Sequence, residues 1–211
     1  MTKPAASRSH VPHADSPALG WAISRARWGD VPLILNLVVQ AAHDGDLNPR
    51  YQQLPYQIGL AKSLFAALLL HRFRDASGPR RQARLMVARQ GPEVIGFGLI
   101  CEASLPAPLA VHELYLLCVA KPHRRFGVGR ALIEQARQQI DADQSLMVIS
   151  LQRNRTMGRL LQASGATPLG TVRLPGNDHV PLHAHAFGCP HGLDALRAAL
   201  QSPAGRAAPS R

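Results

Sequence analysis

Between Val119 and Ile140 the chain reads VAKPHRRFGVGRALIEQARQQI: an apolar run ends, a basic loop with two glycines follows, and a helical pattern begins at once. The spacing Arg124-x-x-Gly127-x-Gly129 puts glycines where the backbone has to come close to a bulky ligand. A helix N-terminus carries free N–H groups and a partial positive charge, so it binds phosphate without any particular side chain. Arg124, Arg125 and Arg130 add charge around that point. The chemistry on offer is pyrophosphate binding, with a plain strand-to-helix turn as the alternative use of the same residues. Two better-known phosphate loops are excluded, because the Gly-Lys-Ser/Thr ending is absent and the first glycine of Gly-x-Gly-x-x-Gly is missing.

A second group of chemically able residues lies near the end of the chain. His179, His183, His185, Cys189 and His191 include a His-x-His and a Cys-x-His, residue types that bind zinc. Their spacing fits no standard zinc pattern, so no metal is expected, and the histidines read as ordinary strand or loop residues or as a proton shuttle on the substrate side.

The elements that must position these groups follow from periodicity. WAISRAR, Trp21 to Arg27, reads as a short strand, and Asp30 before VPLILNLVVQAA supplies an N-cap and an early proline for a helix. Residues 55–73 read as a second helix, with Ile58, Ala61, Leu64, Phe65, Leu68 and Leu69 at spacings of three and four. The segment DASGPRRQ breaks it. ARLMVARQ and VIGFGLICEA, joined by GPE, form a hairpin; ASLPAPLA is a loop; VHELYLLCV is a strong strand that runs into the glycine loop. Val128, Leu132, Ala136 and Ile140 line one face of the next helix. SLMVISL is a buried type of strand, a helix from about Asn154 to Ser164 is stopped by Gly165, and two extended stretches near 167–174 and 183–187 follow. The order β-α-α-β-β-β-α-β-α-β-β makes an α/β protein with helices on the faces of its sheet.

At 211 residues the chain suits one domain with a proper core. Residues 1–20 and 191–211 read as a loose N-terminal tail and a helical turn followed by a tail, around a folded body at 21–190. No apolar run is long and unbroken enough to cross a bilayer, and the first twenty residues lack the apolar segment of a secretory signal. Cys101, Cys118 and Cys189 make no disulfide framework and suit a reducing cytoplasm. The net charge of +11 raises nucleic acid as a partner, yet the basic residues are nearly all arginine, are spread along the chain and are not interleaved with aromatics. A generic basic surface is the expectation.

LCVAKPHRRFGVGRALI resembles motif A of the GCN5-related N-acetyltransferases (GNAT), in which a strand ending in Val meets a basic loop Arg/Gln-x-x-Gly-x-Gly/Ala and then a helix. NRTMGRLLQASGA is similar to the family's next motif, Asn-x-x-Ala-x-x-Leu-Tyr-x-x-x-Gly-Phe. The resemblance implies a mixed, mostly antiparallel sheet flanked by helices, acetyl-CoA as cosubstrate and a primary amine as acceptor. It implies that the amides of Arg124, Arg125, Phe126, Gly127, Val128, Gly129 and Arg130 hold the pyrophosphate of coenzyme A. Leu117, Cys118 and Val119 would offer main-chain groups to the pantetheine in a splay beside their strand, and Asn154 would sit near the pantetheine and the thioester. Glu113, six residues before Val119, resembles the catalytic glutamate of the histone-type branch; Leu114, Leu116 and Leu117 make its surroundings apolar, which favours proton uptake. Its other reading is a partner for an arginine. Two departures stand out: Leu161 replaces the tyrosine that often protonates the leaving thiolate, and Ala166 replaces the phenylalanine. Leu161 leaves room for a non-catalytic coenzyme A binding module, and the charge for an RNA-borne amine acceptor. Edge-strand homodimers are common in the fold.

Overall fold

The computed structural model describes residues 20–74, 81–103, 105, 110–141, 143–172 and 181–201. Strand β1 (Ala22–Arg25) leads through a 3-10 turn into α1 (Val31–His43), and α2 (Leu54–Leu70) follows. Asp30 does not cap α1 with its side chain. Its carboxylate instead accepts the Arg27 N–H at 2.6 Å, closing the preceding turn, and pairs with the Arg89 guanidinium. His71, in the left-handed region at φ 53°, stops α2 at Leu70, three residues short of the expected end.

A two-residue strand that periodicity does not reveal, β2 (Arg72–Phe73), precedes β3 (Arg81–Gln90), β4 (Glu93–Glu102) and β5 (Val111–Val119). Then come α3 (Val128–Arg137), β6 (Ser145–Leu151), α4 (Arg155–Ala163), β7 (Thr167–Val172), β8 (Leu182–Phe187) and α5 (Pro190–Gln201). The strands form one eight-stranded sheet in the order β1-β3-β4-β5-β6-β8-β7, with β2 on the outer edge of β3. Every pairing among the described residues is antiparallel except β5 with β6.

Helices cover both faces. Ile34, Val38, Leu60 and Leu64 of α1 and α2 pack on Val87, Phe97, Leu99, Leu116 and Cys118. On the other face Val128, Leu132, Ile133 and Leu161 of α3 and α4 pack on Ile95, Leu114, Leu117, Leu146 and Val148. Leu193 and Leu196 of α5 close a third cluster with Val111, Met147 and Ala184, so order extends past 190 as a three-turn helix. Each fully buried leucine or isoleucine contributes about 1.5–3 kcal/mol relative to exposure. Ile58, Phe65 and Leu69 are exposed, and the buried face of α2 is Leu60, Leu64 and Ala67. With apolar residues almost all round this helix, its periodicity identifies a helix but not which side faces in.

Candidate active site

Among the described residues the sheet has one parallel join, and it is short. β5 and β6 pair at three positions, Val111 with Ser145, His112 with Leu146 and Glu113 with Met147. Beyond Glu113 each strand keeps its outer neighbour, β4 up to Val119 and β8 up to Leu151, and no ladder joins them to each other. A wedge therefore opens between β5 and β6 toward the glycine loop on one lip and the start of α4 on the other.

The β5 lip exposes alternate main-chain groups. Ala120 N donates to Ile95 O at 2.8 Å, which makes 120 and, two residues back, Cys118 hydrogen-bonded partners of β4. By the same alternation the N–H and C=O of Leu117 and Val119 point into the wedge. Of the three main-chain sites expected there, Cys118 thus belongs to the ladder and to the α1/α2 core rather than to the wedge. Burial pushes its thiol up to about 12, against a smaller lowering effect of Arg124.

At the wedge mouth the chain turns sharply. Arg125 lies at φ 70° and Gly127 at φ 83°, both left-handed, and α3 starts at Val128. Only Gly127 takes that conformation without strain; Arg125 holds it at a cost of about 1–3 kcal/mol. Among the described residues nothing accepts a hydrogen bond from the amides of Arg125, Phe126, Gly127, Val128, Gly129 or Arg130. Successive N–H groups in such a turn, at the positive end of a helix, form an anion-binding concavity. The two glycines serve different ends. A Cβ on Gly127 would meet open space, so its need is conformational, whereas one on Gly129 would lie 3.0 Å from Leu160 Cδ2, so its need is the packing of α3 on α4.

The side chain of Arg124 is already engaged. Its Nε donates to Val119 O at 3.1 Å, and Nη1 pairs with Asp46 Oδ2 at 2.9 Å. Asp44, in the same turn after α1, lies 3.6 Å from both Arg124 and Lys121. From the opposite lip Asn154 Nδ2 donates to Asp46 O at 3.2 Å and Arg153 Nε to Gly45 O at 3.1 Å. The Asp44–Asp46 turn therefore straps both lips of the wedge together. Asn154 spends its Oδ1 on the Met157 N–H, as the N-cap of α4. Arg125 and Arg130, both exposed, have no carboxylate partner among the described residues.

Glu113 stands where the wedge closes. It is 8% exposed and its Oε2 accepts from Arg81 Nη1 at 3.1 Å, so the arginine partner is part of the site. The Arg81 guanidinium also lies over the rings of Tyr115, at 5.5 Å, and Phe73, at 6.0 Å. Tyr115 is the extra residue of a β-bulge, since Leu99 opposes Leu116 while Ile100 opposes Leu114. The bulge turns Glu113, Tyr115 and Leu116 to the α1/α2 face and Leu114 to the other. Arg81 has no local signal in the sequence, being 32 residues from Glu113. Asp44-Gly45-Asp46 has one: two acids in an acid-poor chain that carries a basic loop elsewhere. Leu161 is fully buried on the sheet-facing side of α4 and supplies no proton.

His183 and His185 lie on β8 and alternate with Ala184 and Ala186, which face α5. The histidines thus share the face of Phe187, across the sheet from Glu113. Among the described residues no three His, Cys, Asp or Glu side chains gather as metal ligands, and His179 lies outside those residues. His185 is 3% exposed with an unpartnered Nδ1, and burial, then His183, hold its pKa below the ordinary 6.5. A lowered folded-state pKa means that the unfolded chain takes the proton first. The contribution is whole above pH 6.5 and is lost as pH falls from there toward the folded value. His185→Leu is expected to reduce the acid-side slope of stability, read as urea midpoints between about pH 5 and pH 7.5.

Known proteins agree with this architecture. A sequence model of the acetyltransferase (GNAT) domain matches residues 81–165, from β3 through α4. Among curated proteins none matches the chain by sequence. Of solved structures, a GCN5-related N-acetyltransferase from Kribbella flavida has TM-score 0.57 at 24% identity, covering 82% of this chain and 100% of that one. yncA from Salmonella typhimurium, solved with its cofactor acetyl-CoA, has TM-score 0.57 at 17% identity, covering 80% and 93%. A ribosomal-protein-alanine N-acetyltransferase from Brucella melitensis has TM-score 0.57 at 19% identity, covering 79% and 99%. At these identities the structural likeness is one of fold. Residues 81–165 match the GNAT acetyltransferase domain, and the sheet and helices that hold them have the GNAT fold. That family performs acetyl transfer that depends on acetyl-CoA.

Proposed function

We propose that the protein transfers an acetyl group from acetyl-CoA to a primary amine by direct attack in a ternary complex. The observation that carries this reading is the wedge beside β5 ending in an unpaired amide loop. Six residues separate Glu113 from Val119, roughly 20 Å of strand. That is of the order of the reach of an extended pantetheine arm from its phosphate to its sulfur.

The amides of 125–130 would hold the pyrophosphate, with Arg125 and Arg130 adding charge and Arg124 fixing the loop to Val119 and Asp46. Leu117 and Val119 would pair main-chain groups with the pantetheine. Asn154 contributes by position, since its side chain caps α4 and ties down Asp46. The amine nitrogen attacks the thioester carbon and loses a proton to Glu113, directly or through water. The tetrahedral oxyanion is held by a wedge-facing N–H, Leu117 or Val119, in place of the Cys118 amide. The C–S bond breaks, the amide forms, and the thiolate leaves without needing Leu161.

A covalent route through Cys118 is opposed by its chemistry: a thiol at about 12 has roughly one thiolate in 10⁵ at neutral pH. Cys118→Ala is expected to keep turnover within about threefold of wild type, measured as thiol release. The binding half is tested by Gly127→Glu, which adds left-handed strain and a negative charge to the loop. Acetyl-CoA affinity is expected to fall by about 100-fold or more on titration calorimetry, with the fold kept because the site is open. Unchanged affinity would return the loop to a plain turn. The second reading, a binding module without turnover, is favoured by the buried Leu161 and by the arginine on Glu113. Tight binding with no thiol release across a broad amine panel would support it.

A further inference from the structure

β1 ends at Arg25, opposite Met86, and β2 pairs with β3 only at Gln82 and Arg81, so the outer edge of β3 is notched between Gln82 and Met86. The edge backbone at the notch is satisfied from either side, by Ala26 N on Leu85 O at 3.0 Å and by Ala83 N on His71 O at 2.8 Å. A cavity of about 240 Å³ fills the notch, between the C-terminal ends of α2 and α3. Its polar lining is Ser24, Arg25, His71, Arg84, Gln135 and Gln139, with apolar walls from β1, β3 and α2, and it contains no aspartate or glutamate.

The two arginines contact a histidine ring and a main-chain carbonyl. Arg25 contacts His71 Nε2, and Arg84 Nη1 donates to Gln139 O at 2.5 Å. Among the described residues neither has a carboxylate partner, whereas Arg81, Arg89, Arg124, Arg137 and Arg197 each do. Two guanidiniums gathered on one concave surface repel one another and leave donors for an oxyanion. We propose that this notch is a second anion site, taking a small phosphate- or carboxylate-bearing molecule. It is separate from the wedge: it lies at the C-terminal end of α3, and the ten residues of that helix put it about 15 Å from the amide loop.

The experiment titrates inorganic phosphate, and in a second arm citrate, into the full chain held at saturating coenzyme A, so that the amide loop is occupied. Wild type is compared with Arg25→Gln, Arg84→Gln and, as a charge control, the exposed Arg159→Gln. Both notch arginines are exposed, so these variants are expected to fold. The site predicts saturable binding of one anion or both under coenzyme A, weakened about tenfold or more by either notch variant and unaltered by Arg159→Gln, since one charge-assisted bond is worth about tenfold. Preference for phosphate or citrate assigns the anion class. No saturable binding at about 10 mM, or binding equally weakened by all three variants, overturns the proposal.

Discussion

Arg81→Met is expected to lower the stability of the protein by about 3–5 kcal/mol, a large share of the 5–15 kcal/mol typical of a domain. The reason is Glu113. Its side chain is 11% exposed and that of Arg81 6%, so the pair sits where an unpaired carboxylate keeps little hydration. Removing the guanidinium takes away the cation 3.1 Å from that buried carboxylate, and with it the cation packed over Tyr115 and Phe73. The double variant Arg81→Met, Glu113→Leu is expected to recover most of the loss, because two apolar side chains in the same space carry no desolvation cost. Urea unfolding of the two single variants and the double variant gives the coupling directly. Strict additivity would mean that the pair is not a pair in solution.

The parts that were legible in the sequence are those with a local signature. The glycine loop, its strand and its helix lie within 27 consecutive residues, 111–137, and each is dictated by neighbours: apolar alternation, a glycine at the left-handed position, an amphipathic face. Apart from β2 and the extent of α5, the element order was legible for the same reason. Hidden features come from residues far apart in the chain. Arg81 reaches Glu113 across the sheet, and Asp46 reaches Arg124 and Asn154. No periodicity encodes such pairs. The bulge at Tyr115 was equally hidden, since VHELYLLCV alternates no less well with it than without it, yet the bulge decides which face Glu113 shares with α1 and α2. Asp30 misled because an aspartate before a helix usually caps it, and here an arginine from β3 competes for the carboxylate.

The strap and the ion pair give the site a common logic. Each end of the wedge on β5 is set by an arginine bound to an acid, Arg124 to Asp46 at the mouth and Arg81 to Glu113 at the closed end. The mouth pair is partly exposed, Arg124 and Asp46 each by about one third, so water screens it. The closed-end pair is buried and has no such screening.

That difference frames the test of Glu113. Glu113→Gln keeps the shape of the side chain and leaves a carbonyl oxygen to accept from Arg81, so its loss of stability should be smaller than that of Arg81→Met. Acetyl-CoA affinity should hold, because the amide loop is roughly 20 Å along β5. Turnover is expected to fall about 10²–10⁴-fold, the range for removing a general base. The pH profile separates the roles. If Glu113 takes the proton from the amine, the acid limb of kcat/KM for wild type reports a group that Glu113→Gln removes, and the residual activity rises with pH only as the amine itself deprotonates. If Glu113 serves solely to neutralise Arg81, kcat falls by less than about threefold and the acid limb stays where it was. Supplying the acceptor already deprotonated, at high pH, should then rescue the variant in the first case and change nothing in the second.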